Sequence, residues 1–87
     1  MAPPKPLVWR KHARDVLAER KLDPAWVEKA ARQPEWRMPD PDDPEVERRY
    51  LRIPERGGRV LRVACVENDQ EIRIVTAFLD RNAGRMR

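Results

Sequence analysis

The spacing of apolar residues divides the chain into a helical first part and a second part made of strands. In the first part apolar residues recur at helical intervals, which predicts a helix from near Leu7 or Trp9 to about Arg20. A second helix is predicted to start at Asp23-Pro24. Aspartate can cap the free amides of a first turn, and proline lacks the amide that would stay unpaired there.

Alternating apolar and polar residues predict three strands in the second part, over about Glu47 to Ile53, Arg59 to Glu67 and Glu71 to Leu79. The turns "ERGG" and "END" between them indicate an antiparallel meander. From Pro34 to Pro44, four prolines and three aspartates predict a loop that allows only a short edge strand at Glu35 to Met38. The predicted fold is α+β, with two amino-terminal helices packed on a three- to four-stranded antiparallel sheet.

The length of 87 residues is enough for one small domain. We expect residues 1–6 to be a disordered amino-terminal segment, residues 7–83 to form the single α+β domain, and residues 84–87 to be a basic tail. No stretch reads as a signal peptide or a membrane span, so a cytoplasmic protein without a membrane partner is expected.

Each predicted strand contains arginine, and strand alternation places one or two arginines of each strand on a common face. If the apolar sets all face the helices, Arg48, Arg52, Arg62 and Arg73 share the open face of the sheet with Tyr50. The same alternation buries Thr76 and Phe78 against the helices. It leaves Val60, Val75 and Leu79 on the arginine face.

Two interpretations of this arginine face remain open. Guanidinium groups with a tyrosine can hold phosphates and stack a base, which favours RNA as a partner. Alternatively, the arginines solvate an ordinary sheet face and pair with glutamates at the strand ends, namely Glu47, Glu67 and Glu71.

The charge distribution favours a polyanion as partner, and the alternative is that charges of both signs simply keep a small protein soluble. The net charge is +4, yet residues 39–47 contain five acids and no base, so the rest of the chain is more basic than the total indicates. Cys65 is the only cysteine and His12 the only histidine, which excludes an internal disulfide and a zinc site of the usual kind. Cys65 is expected to be a buried, inert thiol. No cofactor is expected.

His12 is the one side chain of the type that exchanges protons near neutral pH, so it is the candidate general base or acid. The alternative is a structural histidine at the edge of an amphipathic helix. His12 can reach the arginine face only if its end of the helix overhangs the edge of the sheet. Asp80 and Arg81 are candidates at the rim.

Two stretches carry a resemblance to known proteins. "KHARDVLAERKLDPAWVEKAARQPEW" resembles an uncharacterised family of small bacterial domains with a His-Ala pair, a Glu-Arg-Gly helix end, a second helix and a proline. "GGRVLRVACVENDQEIRIVTAFLDR" resembles the second half of that family and is similar to the last strands of BrnT toxins. Lys21 stands where a glycine is usual.

The resemblance implies a RelE-like ribonuclease-toxin architecture, with RNA on the open side of the sheet. It matches His12 to the helix-opening histidine of the family, and Arg62 and Arg73 to its strand arginines. A BrnT-like toxin in a bacterial toxin-antitoxin system would also have an antitoxin as protein partner.

Two functions therefore stay open. The first is a metal-independent endoribonuclease with His12, Arg62 and Arg73 as catalytic residues, and with Arg48, Tyr50, Arg52 and Arg81 binding RNA. The second is a non-catalytic module that binds RNA or a protein. The oligomeric state is not predicted.

Overall fold

The computed structural model describes residues 4–83 as two helices on one face of a five-stranded sheet. The elements in chain order are β1 (Leu7–Trp9), α1 (Lys11–Arg20), α2 (Pro24–Arg32), β2 (Trp36–Pro39), β3 (Glu47–Ile53), a single turn of 3-10 helix (Pro54–Arg56), β4 (Arg59–Glu67) and β5 (Ile72–Asp80). The strand order is β1-β5-β4-β3-β2. The fold is α+β, as predicted.

The sheet has more strands than the pattern predicted, because residues 7–9 form β1 rather than the first turn of a helix. β1 pairs in parallel with the start of β5, with Leu7 opposite Ile72 and Trp9 opposite Ile74. Leu7 and Trp9 pack against the main core from this strand, and α1 begins only at Lys11. The proposed edge strand in the proline-rich loop is also present, as β2 paired antiparallel with β3.

The start of α2 follows its predicted chemistry. The Asp23 carboxylate accepts a hydrogen bond of 2.8 Å from the Ala25 amide, and Pro24 occupies the first helical position. α1 differs, because no side chain caps its amino end and its last turn closes on Lys21 in the left-handed region, with φ 54°. α1 packs against β5, and α2 packs mainly against β4 and β3.

The main core lies between the helices and the sheet. α1 and α2 contribute Ala13, Leu17, Val27, Ala30 and Ala31, and the strands contribute Leu51, Ile53, Leu61, Val63, Cys65, Ile72, Ile74 and Ala77. The predicted faces of β3 and β4 are confirmed. The Cys65 thiol is fully buried, and burial raises its pKa to about 11, as expected for an inert thiol.

The predicted faces of β5 are correct only up to Ile74. Cys65 pairs with Ile74 but Ala64 pairs with Thr76, so Val75 forms a β-bulge that shifts the alternation by one residue. Ala77 and Leu79 therefore face the main core, contrary to the expectation for Leu79. Thr76 and Phe78 lie on the open face instead.

The open face carries a small apolar cluster of its own, which alternation alone did not predict. Tyr50, Val60 and Ala83 are buried there, and Trp36 and Met38 of β2 pack against them. Val60 is thus covered rather than exposed, because the chain after β5 brings Ala83 back over the sheet. Val75 alone of the three apolar residues expected on this face is exposed, at 36%.

Part of the segment expected to be disordered is built into the fold. The Pro6 carbonyl accepts a hydrogen bond from the Ile72 amide, and Lys5 Nζ lies 2.7 Å from Glu67 Oε2. Residues 1–3 and the predicted basic tail at 84–87 lie outside the described residues.

Candidate nucleic-acid interface

A shallow depression at the edge of the sheet brings His12 and Arg73 together. Its volume is ≈ 400 Å³, and it is lined by Arg10, His12, Arg73, Ile74 and Val75. α1 starts directly after the short strand β1, so its first turn overhangs the point where β5 continues past β1. Because of this overhang, His12 of α1 lies close enough to line the same depression as Arg73 of the sheet. We call this place the edge depression.

The amino end of α1 adds to the positive character of the edge depression. Arg10 occupies the cap position, but its side chain makes no capping hydrogen bond, and the first turn carries no acid. The first-turn amides therefore point outward beside Lys11 and His12, and the positive end of the helix dipole favours an anion here. Among residues 4–83 neither Arg10 nor Arg73 has a carboxylate partner within ion-pair distance.

Arg62 lies on the same open face but outside the edge depression. Arg62 pairs with Phe78 and Arg73 pairs with Val66, so the two arginines are four positions apart along adjacent strands. At the rise of a β-strand this is about 13 Å. Arg62 Nη1 lies 3.2 Å from Asp80 Oδ2, towards the end of β5 that points away from Arg73. The structure therefore separates Arg62 from Arg73, the two arginines that the endoribonuclease hypothesis made catalytic together.

Phe78 explains why Arg62 stays in this position. The Arg62 guanidinium lies over the Phe78 ring, 4.1 Å from its centroid, and Arg20 approaches the same ring at 5.5 Å. Arg20 reaches it from the end of α1 around the edge of β5, where its Nη1 donates to the Ala77 carbonyl at 3.0 Å. The sequence analysis did not predict Phe78 or Arg20 at this site. The bulge that turns Phe78 outward cannot be recognised from the order of apolar and polar residues.

Tyr50 is not available to stack a base in this structure. Its side chain is 1% exposed, and its ring stacks on that of Trp36 with centroids 4.8 Å apart and planes 4° apart. The role predicted for Tyr50 requires an open ring face. The structure instead gives it a packing role between β2 and the residues that follow β5.

The remaining predicted RNA ligands differ in how free their side chains are. Arg48 Nε donates to Asp40 Oδ2 at 3.2 Å. Burial is the largest single influence and opposes the charge on Arg48, but the interactions with Asp40 and then Tyr50 together outweigh it and raise the Arg48 pKa. Backbone amides, first that of Asp42, and then the Arg48 guanidinium lower the pKa of Asp40. Arg52 and Arg81 are exposed.

Arg49, which the strand pattern left unassigned, is buried on the helix side of the sheet at 4% exposure. It donates to the Ala31 carbonyl at the end of α2 and to carboxylate oxygens of Glu47 and Glu67. Glu47 and Glu67, which could have paired with the arginines of the open face, therefore pair with Arg49 on the opposite face.

The described part of the chain contains no metal-binding site that its side chains could form. No group of three or more His, Cys, Asp or Glu side chains within residues 4–83 is arranged to hold an ion. Neither described helix is long and apolar enough to cross a membrane.

Comparison with known proteins leads to a family without an assigned activity. No curated protein and no solved structure matches the chain. The family model described as "Domain of unknown function (DUF4258)" matches residues 9–79, from β1 through almost all of β5, and this span includes the edge depression. The match covers most of the chain, so this protein belongs to the DUF4258 family.

Proposed function

We propose that this DUF4258 domain is a metal-independent endoribonuclease whose reaction takes place in the edge depression. The observation that carries the proposal is the shared lining of that depression by His12 and Arg73, a proton-exchanging group beside an arginine without a carboxylate partner among the described residues. Arg10 and the uncapped start of α1 supply further positive charge around the same point.

These groups match what RNA cleavage without a cofactor requires. The ribose 2′ oxygen attacks the neighbouring phosphorus, the bond to the 5′ oxygen breaks, and a 2′,3′-cyclic phosphate and a 5′ hydroxyl result. His12 accepts the proton of the 2′ hydroxyl, and the protonated imidazole or water returns a proton to the leaving oxygen. Arg73 and Arg10 stabilise the charge that builds on the phosphorane oxygens.

The rest of the open face binds flanking RNA in this proposal. Arg62 contacts a phosphate other than the scissile one, because it lies about 13 Å from Arg73. Arg48, Arg52 and Arg81 contribute positive charge along the same surface. The proposal keeps the BrnT-like and RelE-like toxin role, a cytoplasmic location and an antitoxin partner as its biological setting.

The test is cleavage of a mixed-sequence, end-labelled RNA in excess EDTA by the wild type, His12→Ala and Arg73→Ala. Loss of a transition-state arginine raises the barrier by about 3 kcal/mol, so Arg73→Ala should cut the rate about a hundredfold. Arg14→Ala is the matched control, since it removes an exposed arginine of α1 that does not line the edge depression. The products should carry cyclic phosphate ends.

A non-catalytic module that binds RNA or a protein is the second candidate, and one observation favours it. No described residue hydrogen bonds to the His12 ring, so no neighbour orients it for proton transfer. This candidate predicts that RNA stays intact, that binding depends steeply on salt, and that His12→Ala binds like the wild type. Cleavage that survives in both variants would refute the proposed site.

A further inference from the structure

The outer edge of β5 is covered over only the first part of its length. β1 pairs with Ile72–Ile74 and ends there, while β5 continues to Asp80. Among residues 4–83 no strand pairs with residues 76–80 of β5 on the side away from β4. We call this stretch the open edge of β5.

The direction of the backbone groups along the open edge follows from the hydrogen bonds. The Ile72 amide donates outward to Pro6, and beyond the bulge the Ala77 carbonyl accepts outward from Arg20. Because backbone groups alternate between the two sides of a strand, the amide and carbonyl of Leu79 also point outward. Ala77 and Leu79 therefore present a short row of donors and acceptors of the kind that an added strand pairs with.

A groove runs beside this row. It has a volume of ≈ 430 Å³ and is lined by Arg20, Leu22, Phe78 and Leu79, so apolar side chains flank the open backbone groups. A strand laid along β5 would place alternate side chains against Phe78 on the open face and against Leu22 on the helix face. The geometry supplies both backbone pairing and side-chain pockets.

The charges at the open edge of β5 indicate which kind of strand can bind there. Arg20 reaches the edge from the helix side and has no carboxylate partner among residues 4–83. Arg62 covers the Phe78 ring from the open face and is already paired with Asp80, so the unpaired charge at this edge is that of Arg20. A second copy paired through β5 would bring two Arg20 side chains to one edge, and like charges at close range are unfavourable. The acidic loop of this chain carries prolines at 39, 41 and 44, which cannot donate to a ladder.

We propose that the open edge of β5 binds an extended, acidic segment of a partner protein as an additional strand. On binding, a backbone amide of the segment replaces Arg20 on the Ala77 carbonyl, and the released guanidinium pairs with a carboxylate of the segment. Arg20 covers the edge in the absence of the partner, which is how proteins commonly protect an open strand. This inference does not depend on ribonuclease activity.

The probe is a synthetic peptide with blocked ends that alternates valine and glutamate and carries threonine at both termini. We expect the peptide to slow amide hydrogen exchange at Ala77 and Leu79, measured by NMR on the full chain. Two peptides of equal length are the controls: one has proline at its central positions, and the other has lysine for every glutamate. Both should leave exchange at Leu79 unchanged.

Arg20→Glu tests the charge contribution, and Arg14→Glu makes the same change on α1 away from the groove. Arg20→Glu should weaken peptide binding about tenfold or more, while Arg14→Glu should match the wild type. No protection of Leu79 at millimolar peptide, or equal protection by the lysine peptide, would overturn the proposal. Protection that grows with protein concentration alone, together with dimers in sedimentation, would overturn it in favour of a second copy.

Discussion

The guanidinium of Arg62 lies 4.1 Å from the centroid of the Phe78 ring, on the neighbouring strand directly opposite. The same guanidinium pairs with Asp80, and both side chains are largely buried at 22% and 12% exposure. Arg62 is thus held by two contacts within the sheet, whereas Arg73 has no carboxylate partner among the described residues. The two strand arginines differ in what they do for the fold.

This difference predicts unequal effects on stability. Arg62→Ala should lower the free energy of unfolding by about 1–2 kcal/mol, because it removes a cation–π contact and leaves Asp80 without its cation. Arg73→Ala should change it by only about 0.5 kcal/mol, because Arg73 is half-buried but makes no ion pair among the described residues. Urea denaturation followed by tryptophan fluorescence measures both. Equal losses in the two variants would contradict the assignment.

The sequence could predict the faces of β3 and β4 but not that of the end of β5. Alternation determines which side chains share a face only while the pairing register is uninterrupted. The Val75 bulge shifts the register inside a run of apolar residues that reads equally well on either face. Phe78 therefore reached the open face, and its contact with Arg62 followed from tertiary pairing that no local pattern encodes.

RNA binding should separate the same two arginines by their dependence on salt. Arg73→Ala should reduce the slope of log K against log salt concentration by about 0.7, the value for one phosphate contact on a single strand. Arg62→Ala should reduce it by less, because Asp80 already neutralises part of the Arg62 charge. Fluorescence anisotropy with a labelled RNA over a salt series checks this. Identical slopes for the wild type and Arg73→Ala would remove Arg73 from the interface.

The sequence could predict part of the candidate site. A helix that follows a strand at the sheet edge can bring His12 to Arg73, and this required only that the helix overhang the edge. The burial of Tyr50 could not be predicted, because it depends on packing against β2 and against Ala83, which lies back over the sheet. Contacts between segments distant in sequence decide which aromatic rings remain open.

Lys21 offers a test of backbone strain at the end of α1. It adopts φ 54° and ψ 45°, a conformation that costs a non-glycine residue about 1–2 kcal/mol. Glycine takes this conformation freely. Lys21→Gly should raise the free energy of unfolding by about 0.5–1 kcal/mol, after the greater freedom of glycine in the unfolded chain is subtracted. Lys21→Ala is the control and should show no gain.

Arg49 joins the amino-terminal segment, α2 and two strands through one buried cation. Its guanidinium holds Glu47, Glu67 and the Ala31 carbonyl, and Glu67 in turn holds Lys5. Burial opposes the charge on Arg49, but its two carboxylate partners outweigh burial and raise its pKa. Arg49→Ala removes the buried cation and leaves Glu47 and Glu67 unpaired with it, but both carboxylates are about one third exposed and water can solvate them. The free energy of unfolding should therefore fall by about 2–3 kcal/mol, measured by urea denaturation.

Glu67 makes this network sensitive to acid. Hydrogen bonds from Lys5, and then from Arg49, lower the Glu67 pKa below its ordinary value of 4.5. A carboxylate with a lowered pKa stabilises the fold fully above its unfolded value, and the contribution is lost as pH falls from about 4.5 through the lowered pKa. Glu67→Gln should therefore be less stable at neutral pH by about 1–3 kcal/mol and lose less stability than the wild type between neutral pH and pH 3. Urea unfolding at several pH values, with exposed Glu45→Gln as control, measures this difference. Parallel curves for the wild type and Glu67→Gln would show that this carboxylate carries no acid sensitivity.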